Sequence, residues 1–264
     1  MLRKRIVTAI IILPLFIAAI WFGTPWFTLA LSIFAVLGCL EFYRMTSNHN
    51  IHPITSLGVI ITFLLIISPH CPYISIKPLI ITIAIIISLI WLLFRSPNEE
   101  AFNNWTWTIA GILYIGLMLS YWIDLRNLES GRELVFWFFL MIVANDICAF
   151  FVGRALGKHP LASNISPNKT WEGAIGGLLG SILIAILFGI LFSVSFNYWY
   201  MALSGFIISV FAQLGDLVES LLKRNTCVKD SSKLLPGHGG ILDRVDSFIL
   251  TGAIAYHYVI YLAL

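Results

Sequence analysis

Long uninterrupted apolar stretches dominate this sequence. A helix needs about 20 apolar residues to cross the hydrocarbon core of a bilayer, with a range of about 17–25. Nine stretches reach or approach this length: residues 6–22, 26–43, 54–67, 74–94, 107–123, 134–152, 172–192, 198–222 and 245–264. A transmembrane β-barrel would instead show short strands of alternating apolar and polar residues. The sequence therefore predicts an all-α, polytopic transmembrane bundle of about nine spans.

The scarcity of charge excludes most other classes of protein. Only 11% of the 264 residues are charged and 59% are hydrophobic, whereas a soluble domain carries about 25% charged residues. So much apolar surface also excludes a disordered chain. The net charge of +3 is too small to indicate nucleic-acid binding, and the four cysteines form no CxxC pair that would indicate a zinc site or a disulfide framework.

The distribution of basic residues predicts a cytoplasmic N-terminus. If the nine spans alternate, 13 of the 16 Lys and Arg residues lie on the side of the N-terminus, and Lys77, Arg126 and Arg132 lie on the other. Cytoplasmic loops of membrane proteins carry such an excess. We expect about five N-terminal spans over residues 1–133, which could also form dimer contacts, and catalytic spans over 134–264. The cytoplasmic loops of the catalytic part are expected at 153–171 and 223–244.

Polar residues in and after the sixth span form the first candidate region. Asp146 lies within an apolar helix, where it serves either a helix–helix hydrogen bond or a function. Ser166 and Pro167 are typical of an N-cap and the first helical position, which places Lys169 in the first turn of the seventh span. A lysine beside free helical N–H groups suits a phosphate. The glycines of that span favour close packing within the chain over a dimer contact. They are Gly173, Gly176, Gly177 and Gly180.

The end of the eighth span forms the second and denser region. Asp216, Ser220 and Lys223 are spaced i, i+4 and i+7, so they share one helix face, and Glu219 flanks it. Such a face is costly in lipid. We favour a metal site or a polar substrate pocket over a structural ion pair.

The following loop adds glycines and two further carboxylates. Gly239 and Gly240 permit close approach of the backbone to a ligand. Asp243 and Asp246 begin the ninth span, where capping is the simpler role for Asp246. Carboxylates suit Mg²⁺, which one or two of them hold together with substrate phosphates, and Asp216 and Asp243 could supply that pair. His238 has no second His or Cys ligand near it in the sequence, which argues against zinc.

These features together predict metal-dependent phosphoryl or nucleotidyl transfer on a lipid, at the cytoplasmic face of the membrane. One alternative is a cation- or proton-coupled transporter with an intramembrane relay of Asp146, Asp216 and Glu219. A CDP-alcohol phosphotransferase is a second alternative, but the sequence lacks the D-G-x₂-A-R-x₈-G-x₃-D-x₃-D pattern of those enzymes.

Three motifs resemble the phosphatidate cytidylyltransferase (CDP-diacylglycerol synthase) family of bacteria. Residues 220–230 read SLLKRNTCVKD and residues 236–246 read PGHGGILDRVD. They match the family pattern S-x-apolar-K-R-x₄-K-D, followed by P-x-H-G-G-apolar-x-D-R-apolar-D. Residues 166–173, SPNKTWEG, match the element S-P-x-K-T-x-E-G. Length and span layout extend the resemblance to essentially the whole chain.

The resemblance implies the reaction of CTP with phosphatidic acid to give CDP-diacylglycerol and pyrophosphate. It implies Mg²⁺ on Asp216 and Asp243, with K⁺ as an optional second ion, and a homodimer in the cytoplasmic (inner) membrane of a bacterium. We expect Lys223 and Asp246 to join the two metal-binding aspartates in catalysis. The residues expected to bind the substrates are Lys169, Ser220, Arg224, Lys229, Asp230, His238, Gly239, Gly240 and Arg244.

Overall fold

Helices account for most of the chain that the structure describes. The computed structural model describes residues 14–46, 51–71, 76–94, 100–192, 197–232, 234 and 239–263. Residues 14–22 are the described part of helix α1. The helices that follow are α2 (Trp26–Met45), α3 (Thr55–Ile67), α4 (Lys77–Leu93), α5 (Ala101–Gly111), α6 (Met118–Arg126), α7 (Gly131–Leu156), α8 (Trp171–Leu191), α9 (Tyr198–Asn225) and α10 (Leu242–Tyr258).

Several of these helices are long enough to cross a bilayer. Within the described residues, six segments have the required length and apolar character: Trp26–Met45, Ala101–Arg126, Gly131–Leu156, Trp171–Leu191, Tyr198–Asn225 and Leu242–Leu262. Thr55–His70 and Lys77–Leu93 are shorter apolar helical segments. The predicted all-α membrane bundle is therefore confirmed, and the chain is an integral membrane protein. The first predicted stretch begins outside the described residues, so the count of nine and the cytoplasmic N-terminus stay predictions.

Helices α9 and α10 both reach further toward the loop between them than predicted. Helix α9 ends at Asn225 instead of residue 222, so Lys223 and Arg224 are helical. Helix α10 begins at Leu242 instead of residue 245, which places Asp243 in its first turn. Most of the predicted site residues are therefore held on rigid helices.

The chain divides into two compact units. The first unit comprises Met1–Asp124 and Lys223–Val245, and the second comprises Leu125–Leu222 and Asp246–Leu264. The segment 223–245 thus belongs with the N-terminal helices. The division into N-terminal and catalytic spans at residue 133 stays a prediction about function.

In the first unit, a buried tyrosine ties three helices together. Tyr43 of α2 donates a hydrogen bond from its hydroxyl to the carbonyl of Thr108 in α5, at 2.8 Å. A Cβ at Gly111 would lie 2.6 Å from the tyrosine ring, and Gly58 of α3 borders the same ring. Beside it, a buried apolar cluster joins α3, α4 and the π-helical turn Ile112–Leu117: Ile61, Leu65, Ala84 and Ile112.

In the second unit, α7 packs closely against α8 through the glycines of α8. A Cβ at Gly176 would lie 2.6 Å from the side chain of Val152, and one at Gly180 would lie 2.5 Å from the sulfur of Cys148. Backbones this close need residues without side chains. The expected packing role of these glycines within the chain is confirmed.

The helix start predicted at Ser166 and Pro167 is wrong, although the seventh apolar stretch, 172–192, agrees with helix α8 to within one residue. Ser166–Thr170 form strand β2, which pairs antiparallel with strand β1 (Pro160–Ala162). Helix α8 begins only at Trp171, and the hydroxyl of Thr170 accepts the hydrogen bond from the Gly173 amide, at 3.1 Å. Lys169 therefore lies on a strand and not in the first helical turn. Ser166 and Pro167 fit an extended strand as well as a helix start, because the fixed φ of proline is allowed in both.

Candidate functional site

Three carboxylates of the second unit come together where α9 approaches the start of α10. Asp216, Glu219 and Asp246 each offer an oxygen, and these oxygens all lie within 4.8 Å of one another. We call these three residues the carboxylate cluster. Glu219 is fully buried, whereas Asp216 is partly accessible. The cluster brings together two predicted catalytic residues and one, Glu219, that was expected only to flank the site.

A glycine allows the two helices to approach at this point. A Cβ at Gly215 would lie 2.6 Å from the carbonyl oxygen of Asp246, which is closer than side chains tolerate. The absence of a side chain at Gly215 therefore brings the adjacent Asp216 beside the first turns of α10. Glu219 follows three residues later on the same side of α9.

Lys169 reaches the carboxylate cluster from the β-hairpin. Its Nζ lies 2.7 Å from Asp216 Oδ2, and both side chains are partly exposed. The segment that leads into strand β1 is fixed to the start of α8, because Glu172 accepts hydrogen bonds from the amides of Lys158 and His159. The hairpin thus presents a lysine to the cluster, although the sequence predicted that a helix would do so.

Asp146 also belongs to this environment. It interacts electrostatically with Asp216, Lys169 and Asp246, and it accepts a hydrogen bond from the Asn145 amide at 3.0 Å. The sequence left open whether Asp146 serves packing or function, and its place beside the cluster favours function.

A buried hydrogen-bond network holds Asn145 in place. Its Oδ1 accepts hydrogen bonds from Ser209 at 2.7 Å and from Gln213 at 3.0 Å, and Gln213 also donates to the carbonyl of Ala174. Buried polar groups that are satisfied in this way fix the packing of their helices. The network joins α7, α8 and α9 directly beside Asp146.

Asp243 is the centre of a second arrangement, in the first unit. Its Oδ1 accepts a hydrogen bond from Lys223 Nζ at 2.7 Å. Its Oδ2 accepts hydrogen bonds from the amides of Gly240, at 2.8 Å, and Ser231, at 3.0 Å, and lies 3.0 Å from the Ser231 hydroxyl. Two predicted catalytic residues, Lys223 and Asp243, are thus in direct contact. The pairing of Asp216 with Asp243 on one metal ion stays a prediction.

The two glycines before α10 are explained by contacts within the chain. Gly239 has a φ of +81°, and a Cβ there would lie 2.6 Å from Asp243 Oδ2. A Cβ at Gly240 would overlap the Ser231 hydroxyl and the carboxylate of Glu41. The expected close approach of the backbone is therefore to Asp243, Ser231 and Glu41, and binding of substrate by these glycines stays a prediction.

Glu41 of α2 is a residue that the sequence analysis missed. It is only 3% exposed and accepts four hydrogen bonds from the segment that precedes α10 and from the start of α10. One signal was available: Glu41 is the only acidic residue in the second apolar stretch. An ionisable residue inside a predicted span indicates a functional site, because burial of a charge in the membrane is costly.

The remaining predicted residues differ in their exposure. Arg224, Lys229, Asp230 and Arg244 are exposed, and Ser220 is half-buried on α9. His238 lies outside the described residues. The substrate-binding roles of all these residues stay predictions.

The chemistry of both arrangements suits phosphate groups and a hard cation. Carboxylate oxygens are the ligands that Mg²⁺ prefers, and they typically bind it together with phosphate oxygens. Lys169 and Lys223 add positive charge next to carboxylates, where they can bind the oxygens of a polyphosphate.

Comparison with known proteins gives one consistent result over nearly the whole chain. The model of the cytidylyltransferase family matches residues 3–262. A phosphatidate cytidylyltransferase of Bacillus subtilis is 32% identical over 259 residues, which cover 97% of this chain and 96% of that protein. Phosphatidate cytidylyltransferases of Staphylococcus haemolyticus and Staphylococcus aureus are 36% and 35% identical over 256 residues, which cover 94% of this chain and 95% of each relative.

Proposed function

Since this chain belongs to the cytidylyltransferase family, and is thus a nucleotidyltransferase, we propose that it converts CTP and phosphatidic acid to CDP-diacylglycerol and pyrophosphate. The observation that carries the proposal is the similarity to phosphatidate cytidylyltransferases over at least 94% of both chains. The same similarity favours an enzyme over the transporter considered from the sequence. Phospholipid biosynthesis is the process that such a product serves.

In the proposed reaction, an oxygen of the phosphatidic acid phosphate attacks the α-phosphorus of CTP. A new P–O bond forms there, and the bond between the α-phosphorus and the oxygen that bridges to the β-phosphorus breaks. The electron pair of that bond leaves with pyrophosphate. The attacking group is already a phosphate anion, so the protein mainly has to position two polyanions and offset their charge.

We propose that the carboxylate cluster holds Mg²⁺. Three carboxylates with oxygens within 4.8 Å of one another, two of them partly accessible, fit a hard divalent cation. When bound there, Mg²⁺ would offset the negative charge that develops on the phosphate oxygens. Asp243 remains the second ligand that the family resemblance implies, and K⁺ the optional second ion.

The basic residues bind and orient the phosphates in this proposal. Lys169 and Lys223 each lie 2.7 Å from a carboxylate oxygen, and exchange of those partners for phosphate oxygens would place a lysine on each substrate. The exposed Arg224, Lys229 and Arg244 extend the positive charge toward water, where CTP arrives.

We further propose that the site faces the cytoplasm, in the inner membrane of a bacterium. CTP is a cytosolic nucleotide, and phosphatidic acid holds its phosphate at the depth of the headgroups. Thirteen of the 16 Lys and Arg residues lie on the side that we assign to the cytoplasm. A homodimer through the N-terminal spans is part of the same proposal.

A purified preparation in mixed micelles tests the function. With CTP, Mg²⁺ and phosphatidic acid, we expect release of pyrophosphate together with a lipid that carries cytidine. Omission of phosphatidic acid, or its replacement by diacylglycerol, should abolish both products, because diacylglycerol lacks the attacking phosphate. Absence of both products with phosphatidic acid, in protein that remains folded, would contradict the proposal.

A further inference from the structure

Glu41 occupies an unusual position for a carboxylate. It lies near the C-terminal end of α2, in the run LGCLEFYRM, and only 3% of it is exposed. Burial of a carboxylate costs free energy unless hydrogen bonds or charges compensate for it. The hydrogen bonds that compensate here come from residues about 190–201 positions later in the sequence.

Each of the two carboxylate oxygens of Glu41 accepts two hydrogen bonds. Oε1 accepts from the Ser232 hydroxyl at 2.6 Å and from the Ile241 amide at 3.0 Å. Oε2 accepts from the Leu242 amide at 2.8 Å and lies 2.9 Å from the Ser231 hydroxyl. We call this arrangement the Glu41 latch. It fastens Ser231 and Ser232, as well as the start of α10 at Ile241 and Leu242, to α2.

The Glu41 latch requires a side chain that accepts hydrogen bonds at both of its terminal atoms. All four partners are amide or hydroxyl donors, and a carboxylate is the side chain of this length that offers only acceptors. Two of the donors, the amides of Ile241 and Leu242, are at the N-terminus of α10, where amides lack partners within the helix. Glu41 therefore also caps α10 from another helix.

Ser231 connects the latch to Asp243. Its hydroxyl lies 2.9 Å from Glu41 Oε2 and 3.0 Å from Asp243 Oδ2, so one oxygen touches both carboxylates. The Ser231 amide also donates to Asp243, as does the Gly240 amide. Any shift of the latched segment would thus move the donors that orient the Asp243 carboxylate.

We propose that Glu41 is a positioning residue of the enzyme. By holding residues 231–232 and 241–242 against α2, it fixes the donors that orient the Asp243 carboxylate. This inference rests on the proposed function, because Asp243 is a site residue of that reaction. It assigns to α2 a part in catalysis, whereas the sequence suggested only membrane insertion and dimer contacts for the N-terminal spans.

A packing role and a positioning role of Glu41 predict opposite rankings of two variants by the activity that they retain. Gln has the shape of Glu, but its amide nitrogen would face donors. Asp keeps the acceptors, but its shorter side chain leaves a gap. If Glu41 only fills space, Glu41→Gln should retain more activity than Glu41→Asp. If the acceptors fix the segment, Glu41→Asp should retain more activity than Glu41→Gln.

Steady-state kinetics in micelles provide the first test. For Glu41→Gln we expect a fall in kcat of about 10- to 100-fold, with a change in the KM for CTP of less than about threefold, because a misplaced group slows the reaction more than it weakens binding. Glu41→Asp should lie between it and the wild type. Glu129→Gln is the matched control, since Glu129 is exposed in the turn before α7. A Glu41→Gln variant as active as the wild type, or more active than Glu41→Asp, overturns the inference.

Hydrogen exchange provides a test that does not depend on activity. In Glu41→Gln, a peptide that covers residues 239–245 should exchange faster than in the wild type, because the Ile241 and Leu242 amides lose their acceptor. If the wild type makes no CDP-diacylglycerol, the proposed function fails, yet exchange still decides on the latch. Unchanged exchange overturns it. Should Glu41→Gln fail to fold, Ser232→Ala removes one of the four hydrogen bonds, and an unchanged kcat together with unchanged exchange would then overturn the inference.

Discussion

Lys169 Nζ lies 2.7 Å from Asp216 Oδ2, and this ion pair joins the β-hairpin to the C-terminal half of helix α9. Both side chains keep access to solvent, with 24% of Lys169 and 36% of Asp216 exposed. The Lys169 Nζ atom itself is shielded from solvent, but an ion pair whose carboxylate is this open to water contributes only about 0–1 kcal/mol to the free energy of unfolding. Its position beside the carboxylate cluster makes a functional role the better explanation.

The Lys169→Met variant should therefore lose activity without losing stability. We expect kcat/KM for CTP to fall by about 100-fold or more, as happens when a preorganised cationic or hydrogen-bonding partner of the transition state is removed. Lys169→Arg, which keeps the charge, should retain more activity. Thermal unfolding should change by less than about 2 °C, because the Asp216 side of the pair is open to water. A large loss of stability with normal kinetics would assign Lys169 to the fold instead.

Substitution within the carboxylate cluster should abolish turnover. Asp216→Asn and Asp246→Asn keep the size of each side chain but remove a negative charge from the proposed metal site. We expect each variant to lose at least about 100-fold in kcat, and Asp243→Ala to be inactive as well. Glu129→Gln serves as the control in the same assay. Retained activity of any one variant at ordinary Mg²⁺ concentration removes that residue from the site.

Binding of Mg²⁺ should be visible in stability as well as in activity. A cation that binds only the folded state raises the free energy of unfolding by RT ln(1 + [Mg²⁺]/Kd). Millimolar Mg²⁺ should therefore raise the Tm of the wild type, and the rise should be smaller or absent in Asp216→Asn. EDTA should abolish turnover, and added Mg²⁺ should restore it. An equal rise of Tm in both proteins would argue that the cation binds elsewhere.

Gly240→Ala should disrupt the segment before α10. A Cβ at this position would overlap the Ser231 hydroxyl and the Glu41 carboxylate, so the segment would have to move away from both. We expect a loss of about 1–3 kcal/mol in stability, typical of overpacking, and a marked fall in kcat. Gly38→Ala is the matched control, because a Cβ there would meet its nearest neighbour at an ordinary 3.9 Å. The two variants should be compared by thermal unfolding and by CTP turnover.

Local patterns predicted the parts of this protein that depend on local physics. Continuous apolar runs identified the membrane helices, because a bilayer imposes a minimum length on every span. The spacing of Asp216 and Glu219 placed both residues on neighbouring positions of one helix surface, and the structure brings them together with Asp246. The glycines of α8 indicated close helix packing, because residues without side chains let two backbones approach each other.

The features that sequence analysis missed depend on contacts between distant segments. Ser166 and Pro167 suit a helix start or a strand, and the pairing with residues 160–162 selects the strand. The latch at Glu41 joins α2 to donors about 200 residues away, and no local pattern identifies them. Its only local sign was a carboxylate within an apolar run.

The most direct test of the central claim follows two phosphorus labels of CTP in the presence of phosphatidic acid and Mg²⁺. If the protein transfers a cytidylyl group, the α-³²P label enters the chloroform-soluble lipid and the γ-³²P label leaves as water-soluble pyrophosphate. The lipid label and the pyrophosphate should appear in equal amounts, and Asp216→Asn should form neither. Entry of the γ-label into the lipid would indicate a kinase, and absence of the α-label from the lipid would contradict the account.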